Sequence, residues 1–275
     1  MTRISSLPGI GQCPGFAVLR AAGDDTGSAA ANTGSAVGRI AELWHRGGEG
    51  ATSFEEAVAQ AMREVAENFP RADMDEARLH ALGYASDPRN RGVVVAEWCE
   101  LEVKLTLAPA PEDPTGQPIE LVGHIDQIRR DPVTKQLRVW DLKNGRPGGL
   151  ELLYGYAWQI AAYSLACTAT LGEPVLPGGV IRMKGYGTKR RDPDADPSTH
   201  FEAPWSLDQC RGMLDVVAFE VAHVRNGAIA MRPGMHCMWC PAGGPHLCGA
   251  RLRALPTIPK GMLGMPQTAT QETTT

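Results

Sequence analysis

Gly123-His124-Ile125-Asp126 and, fifteen positions beyond that aspartate, Trp140-Asp141-Leu142-Lys143 are the segments on which the fold and the chemistry turn. Each lies in a stretch with strand character. Ile119 to Arg129 and Gln136 to Lys143 read as extended chain, joined by the turn signal Asp131-Pro132-Val133-Thr134. Residues two apart in a strand share a face, so Asp141 and Lys143 point one way and Trp140 and Leu142 the other. Asp126 falls near the C-terminal end of the preceding strand, with His124 two residues before it on the same face. If the polar faces agree, the two carboxylates converge on one hard cation, and Mg2+ or Mn2+ suits oxygen ligands. Lys143 would stand beside it, placed to orient water or to stabilise charge developing on a phosphate. A lone D-x-K is more often an ordinary half-solvated strand. The two segments together are more specific.

Working outward, Leu150 to Leu171 reads as one long helix, with Gln159 and Tyr163 four apart on a shared face. Gly178 to Tyr186 and His200 to Trp205 read as strands. Ser206, followed by Asp208 and Gln209, starts a helix that reaches about Asn226. On the N-terminal side, residues 1–25 look irregular. Helices are expected over Ala29–Trp44, from Thr52 or Ser53 to Asn68, and over Met74–Leu82, the last stopped by Gly83. Gly92 to Leu107 reads as extended chain, and Pro109 to Pro118 as a loop. This order predicts an α/β fold, a mixed central β-sheet flanked by helices. It divides into an N-terminal helical region (1–92), a core (93–227), a cysteine-rich segment (228–255) and a tail expected to be disordered (256–275).

The series G-x-x-D, D-x-K and Q-x-x-x-Y, spanning Gly123 to Tyr163, resembles the PD-(D/E)XK nuclease superfamily in its RecB-like exonuclease branch. The resemblance implies a restriction-endonuclease-like core and metal-dependent hydrolysis of phosphodiester bonds at DNA ends or single strands, in recombination, repair or phage DNA processing. It implies Asp126 and Asp141 as metal ligands, with the main-chain carbonyl of Leu142 as a further one, and Lys143 as the catalytic lysine. Gln159 and Tyr163 would line the DNA path. A rival reading is a catalytically decayed DNA-end-binding or assembly protein of the same fold.

There are seven cysteines. Cys237-Met-Trp-Cys240 is a C-x2-C pair, with Cys248 eight positions on. Three thiols need a fourth ligand. Zinc would accept His236 or His246, whereas an iron–sulfur cluster prefers a fourth thiolate, for which Cys13 is the candidate. Cys99, Cys167 and Cys210 read as buried packing residues. Some RecB-like nucleases, including the AddB-type subunit and an iron–sulfur CRISPR-associated family, are similar in carrying one cysteine before the core and three after it. That resemblance implies a 4Fe–4S cluster on Cys13, Cys237, Cys240 and Cys248, with Zn2+ as the alternative.

The chain departs from the family at one position. A helix motif G-(S/T)-x-x-H often supplies a histidine ligand, but Gly34-Ser35-Ala36-Val37-Gly38 has glycine there. His45 or His124 could substitute. Glu97, Glu100 and Glu102 are alternative acids for a supporting or substrate role. Arg129, Arg130, Lys135 and Arg138 form one basic run; Lys184, Lys189, Arg190 and Arg191 form another.

Composition sets the outer bounds. At 275 residues, 43% hydrophobic and 21% charged, the chain is of ordinary globular character. A net charge of −4 excludes nucleic-acid binding by bulk charge, so such a site must be a local basic patch. No apolar run long enough to cross a membrane and no leader-like apolar stretch is present, so a cytoplasmic location is expected. A G-x-x-x-x-G-K-(S/T) loop is lacking, so no motor is built in. DNA is the expected partner, with a helicase, recombinase or other recombination protein as a possible companion.

Overall fold

The computed structural model describes residues 2–13, 29–46, 53–68, 71–90, 99–144, 150–183 and 198–226. Within them, the extended run expected from Ile119 to Arg129 breaks at Asp126. β1 (Thr2–Arg3), β2 (Leu101–Leu107) and β3 (Ile119–Ile125) form a three-stranded sheet in the order β1-β3-β2. β4 (Gln127–Arg130), β5 (Leu137–Lys143), β6 (Val175–Met183) and β7 (Ser198–Glu202) form a four-stranded sheet in that order. β1 runs parallel to β3, with Thr2 opposite Leu121, and β2 runs antiparallel to it, with Leu101 opposite Ile125. β4 and β5 are antiparallel, Gln127 facing Trp140. β5 and β6 are parallel, Asp141 facing Val180, and β7 closes the sheet antiparallel to β6. The bend at Asp126 passes the chain from one sheet to the other. A mixed α/β fold is therefore present as expected, with the central sheet split in two.

Seven α-helices occupy the described residues: α1 (Leu7–Gln12), α2 (Ala29–Arg46), α3 (Phe54–Asn68), α4 (Met74–Ser86), α5 (Leu150–Gly155), α6 (Ala157–Leu171) and α7 (Leu207–Arg225). Local chemistry sets several of their ends. Ser53 accepts from the Glu56 amide at 3.2 Å while Glu56 accepts from the Ser53 amide at 2.9 Å. Ser206 and Gln209 close the same reciprocal cap on α7. Gly172 ends α6 in the left-handed conformation, φ 70°. Gly83 does not stop α4, which runs on to Ser86 because Ala81 and Tyr84 are buried against the sheet. A mid-helix glycine costs only about 1 kcal/mol, less than burying such side chains returns. The single helix expected over 150–171 is two, separated at Tyr156. The opening residues, expected to be irregular, form β1, a 3-10 turn and α1, and bury Ile4, Leu7 and Ile10 in the core.

β5 shows how the layers meet. Leu137 and Val139 pack toward α6 and α7, among Ala162, Ala166, Leu214 and Val217. Trp140 packs toward the opposite layer, against Val37 and Ile40 of α2 and Ala81 and Tyr84 of α4. With apolar cover on both faces, α6 is buried nearly all round, from Gln159 to Ser164. Trp140 fits because β6 has no side chain beneath it. A Cβ on Gly178 would come within 2.6 Å of the Trp140 indole nitrogen and 2.4 Å of the Val139 carbonyl. β1 and α1 pack with this core, although the expected boundary at 92 places them on its other side. Arg129, read as part of a basic run, is 5% exposed. It donates to Gln127 at 2.8 Å and to Asn90 at 2.7 Å, and stacks 5.5 Å from the Trp140 ring. β-strand alternation turns it inward beneath α4, so it is no part of a surface patch. Lys184, Lys189, Arg190 and Arg191 lie outside the described residues.

Candidate active site

The break at Asp126 sets the site. β4 pairs with β5 only as far as Gln127 opposite Trp140, so the next part of β5 has no strand beside it there. The Asp126 carboxylate occupies that position, and its Oδ2 accepts from the Leu142 amide at 2.5 Å. Asp141 and Lys143 emerge on the α6 face of β5, as alternation requires. Gln159, on the first turn of α6, donates its Nε2 to Asp141 Oδ1 at 2.8 Å. Lys143 Nζ stands 2.5 Å from Asp141 Oδ2 and 4.6 Å from the centre of the Tyr156 ring. The lysine contact is one of charge, without hydrogen-bond alignment, so Asp141 Oδ2 is buried with no donor.

Asp126, Lys143 and Gln159 open on one cleft of about 970 Å³, whose walls also include Glu100, Gly38 and Tyr156, with Asp141 buried behind it. Its electrostatics are strained. Burial, then the neighbouring Asp141, push the Asp126 carboxyl well above the usual carboxylate range, against the pull of Lys143. Burial alone would lower Lys143, but Asp141 and Asp126 outweigh it and hold the ammonium above its ordinary value. Glu100 is pushed up to about 7 by burial and then by Glu42. Lys143 answers Asp126 and Asp141, while Arg39 and Arg46 of α2 pair with Glu42 and pull Glu100 down.

A divalent cation fits this donor set. The groups are hard oxygens, and one of them is buried without a donor. Among the described residues no three His, Cys, Asp or Glu side chains are gathered tightly enough to enclose an ion by themselves. Mg2+ does not require that, because it keeps several waters and is commonly held by one or two carboxylates plus substrate phosphate.

Tyr163 is 3% exposed. It packs in the core, where a Cβ on Gly123 would meet its hydroxyl at 3.0 Å. Its ring has no free face for a base in this arrangement. His124 is exposed on β3 and lies 3.7 Å from Glu102, away from the cleft wall. His45 turns to Tyr84, its Nε2 2.7 Å from the hydroxyl, and also does not line the cleft. Gly34, Ser35 and Gly38 do line it, so the histidine-like position of α2 faces the site. Sequence left Glu97, Glu100 and Glu102 open. Glu97 lies outside the described residues, Glu102 is exposed beside Lys104, and Glu100 enters the cleft. Its backbone is left-handed, φ 51°, which is costly for a glutamate and aims the carboxylate inward. A Cβ on Gly38 would stand 3.6 Å from Glu100 Oε1.

Cys13 is buried just beyond α1; Cys237, Cys240 and Cys248 lie outside the described residues. Cys99, Cys167 and Cys210 are buried as expected, and burial pushes their thiols up to about 12, 12 and 11. No helix among the described residues is long and apolar enough to cross a membrane.

Two acids, a lysine and a glutamine are thus brought together where β5 meets α6. The model of the PD-(D/E)XK nuclease superfamily matches residues 6–244, and the chain belongs to that superfamily. Among solved structures, SSO0001 is similar at 15% identity over 79% of this chain and 84% of that one, with a TM-score of 0.37. Among curated proteins none matches.

Proposed function

We propose that the chain is a Mg2+- or Mn2+-dependent deoxyribonuclease acting as an exonuclease on DNA ends or single strands. The observation that carries this reading is that Asp126, Lys143 and Gln159 line one cleft, with Asp141 buried against the lysine and the glutamine. Asp126 and Asp141, with the Leu142 carbonyl, would hold the cation. A bound cation supplies Lewis acidity and a water acidified toward hydroxide. Gln159 fixes the carboxylate plane of Asp141. Lys143 swings from its charge contact with Asp141 to neutralise charge on the scissile phosphate or to orient the attacking water. Glu100, pushed up to about 7, lies where a histidine on α2 would reach and would offer the cation a further oxygen when ionised. Cys13, Cys237, Cys240 and Cys248 would hold a 4Fe–4S cluster, or zinc in its place. The cellular companion would be a helicase or recombinase.

End-labelled linear DNA and a closed circle are incubated with Mg2+, with Mn2+ and with EDTA. Metal-dependent release of labelled mononucleotides or short oligonucleotides from the linear form alone is expected, and Asp141→Ala should abolish it. Equal cutting of the circle would refute exonuclease action. Gly38 favours one second reading, a decayed DNA-end-binding member, and binding without cleavage in every metal would establish it. Anaerobically purified protein should absorb near 400 nm; a colourless protein containing zinc would refute the cluster.

A further inference from the structure

Two aromatic rings beside the apolar cluster on which Tyr156, a wall of the cleft, also packs have no part in the chemistry above. Tyr154 lies on α5 and is 60% exposed. Its ring centre is 6.2 Å from that of Trp205, with the planes at 60°. Trp205, just past β7, is half-buried on a small apolar cluster of Leu153, Ile160, Val180 and Ala203. Tyr156 and Phe201 pack on the same cluster. Tyr156 is also a wall of the cleft, under the ammonium of Lys143. Rings gathered about one apolar cluster therefore stand both at Lys143, where Tyr156 lies, and in open solvent, where Tyr154 lies, while the tyrosine expected to stack on bases, Tyr163, is buried.

We propose that Tyr154 and Trp205 form a stacking platform for unpaired bases of the DNA strand whose phosphate reaches Lys143. This rests on the nuclease reading and names its substrate as a single strand. An exposed tyrosine leaning on a tryptophan gains little from water, but each offers a π-face to a base. Only an unpaired base has a face to give in return, because in a duplex both are already stacked. The rings are tilted rather than parallel, so they support bases in succession instead of gripping one between them. Tyr156 packs on the same cluster at the cleft wall, its own ring already taken by Lys143.

The test separates binding from cleavage. Full-length protein is titrated in EDTA into labelled oligo(dT), labelled oligo(U) and a labelled blunt duplex, read by fluorescence anisotropy. Tyr154→Ala, at an exposed position, should weaken oligo(dT) binding about tenfold and leave the duplex within about twofold, as loss of one stacked base predicts. Tyr154→Phe should restore wild-type affinity, which a lost hydroxyl contact would not allow. Oligo(dT) should quench tryptophan emission in the wild type, and Trp205→Phe should remove that quenching while keeping affinity within a few-fold. Unchanged oligo(dT) affinity in Tyr154→Ala, or an equal loss for strand and duplex, overturns the platform. A preference for oligo(U) overturns its assignment to DNA. Strand-selective binding that depends on Tyr154, in a protein that cuts nothing in any metal, would count against the nuclease reading alone. Normal cleavage with no effect of Tyr154→Ala would count against the platform alone.

Discussion

Asp141 divides its two oxygens between Gln159 and Lys143, and each partner does something different. The glutamine amide is buried and aligned, so it fixes the orientation of the carboxylate. The lysine contact is unaligned, so it balances charge and can be given up. Gln159→Ala should therefore raise the metal concentration needed for half-maximal activity several-fold, with little change in DNA affinity; activity against Mg2+ concentration, alongside anisotropy in EDTA, checks both. Asp126→Ala, Asp141→Ala and Lys143→Ala should each reduce cleavage by at least about a thousandfold. Circular dichroism should remain native, since each removes strain rather than packing. The acids and the lysine were legible in sequence because a spacing of two on a strand puts side chains on one face. The spacing of four likewise put Gln159 and Tyr163 together, but it does not say which layer their face meets. Glu100 was not separable from its neighbours, because its left-handed backbone leaves no mark in a run of alternating acids.

At the scale of elements, the site depends on how β5 pairs with β6 across the register shift at Gly178. Gly178 and Gly179 make that possible. A side chain on Gly178 would strike the Val139 carbonyl at 2.4 Å, and one on Gly179, at φ 139°, would strike the Phe201 carbonyl at 2.0 Å. Gly178→Ala should cost about 2–4 kcal/mol of stability in urea unfolding, the scale of a severe core clash. It should also depress cleavage, because Asp141 and Lys143 ride on the displaced strand. A substitution of exposed Gly212 on α7, with open space around it, should do neither. α3 and α7, with their reciprocal serine caps, were readable to within a residue or two. The break at Asp126 was not, because strand-forming residues continue on both sides and no glycine or proline marks it; Gly155 stands at the break before Tyr156, but a lone glycine is often carried inside a helix, as Gly83 is in α4. Both breaks come from packing between layers, a non-local cause.

The whole molecule is two apolar layers on a divided sheet, and one titration reaches across the helical side. His45 is held down to about 3 by burial and then by the charge of Arg129. It is neutral when folded, while the unfolded chain takes up a proton below about 6.5. Its share of stability is complete above that pH and is lost as pH falls toward 3, by up to ~1.4 kcal/mol per unit. From pH 7 to 4 the urea midpoint of the wild type should fall relative to that of His45→Gln. The two-layer α/β class was legible because helical and extended segments follow one another along the chain. The division of the sheet was not, since it depends on one residue leaving the ladder. That residue makes the Leu142 amide a built-in reporter. A cation that turns Asp126 away from that proton would make deuterium uptake at Leu142 quicken on adding Mg2+ while the surrounding strands slow, whereas one met by Oδ1 alone would leave it unchanged.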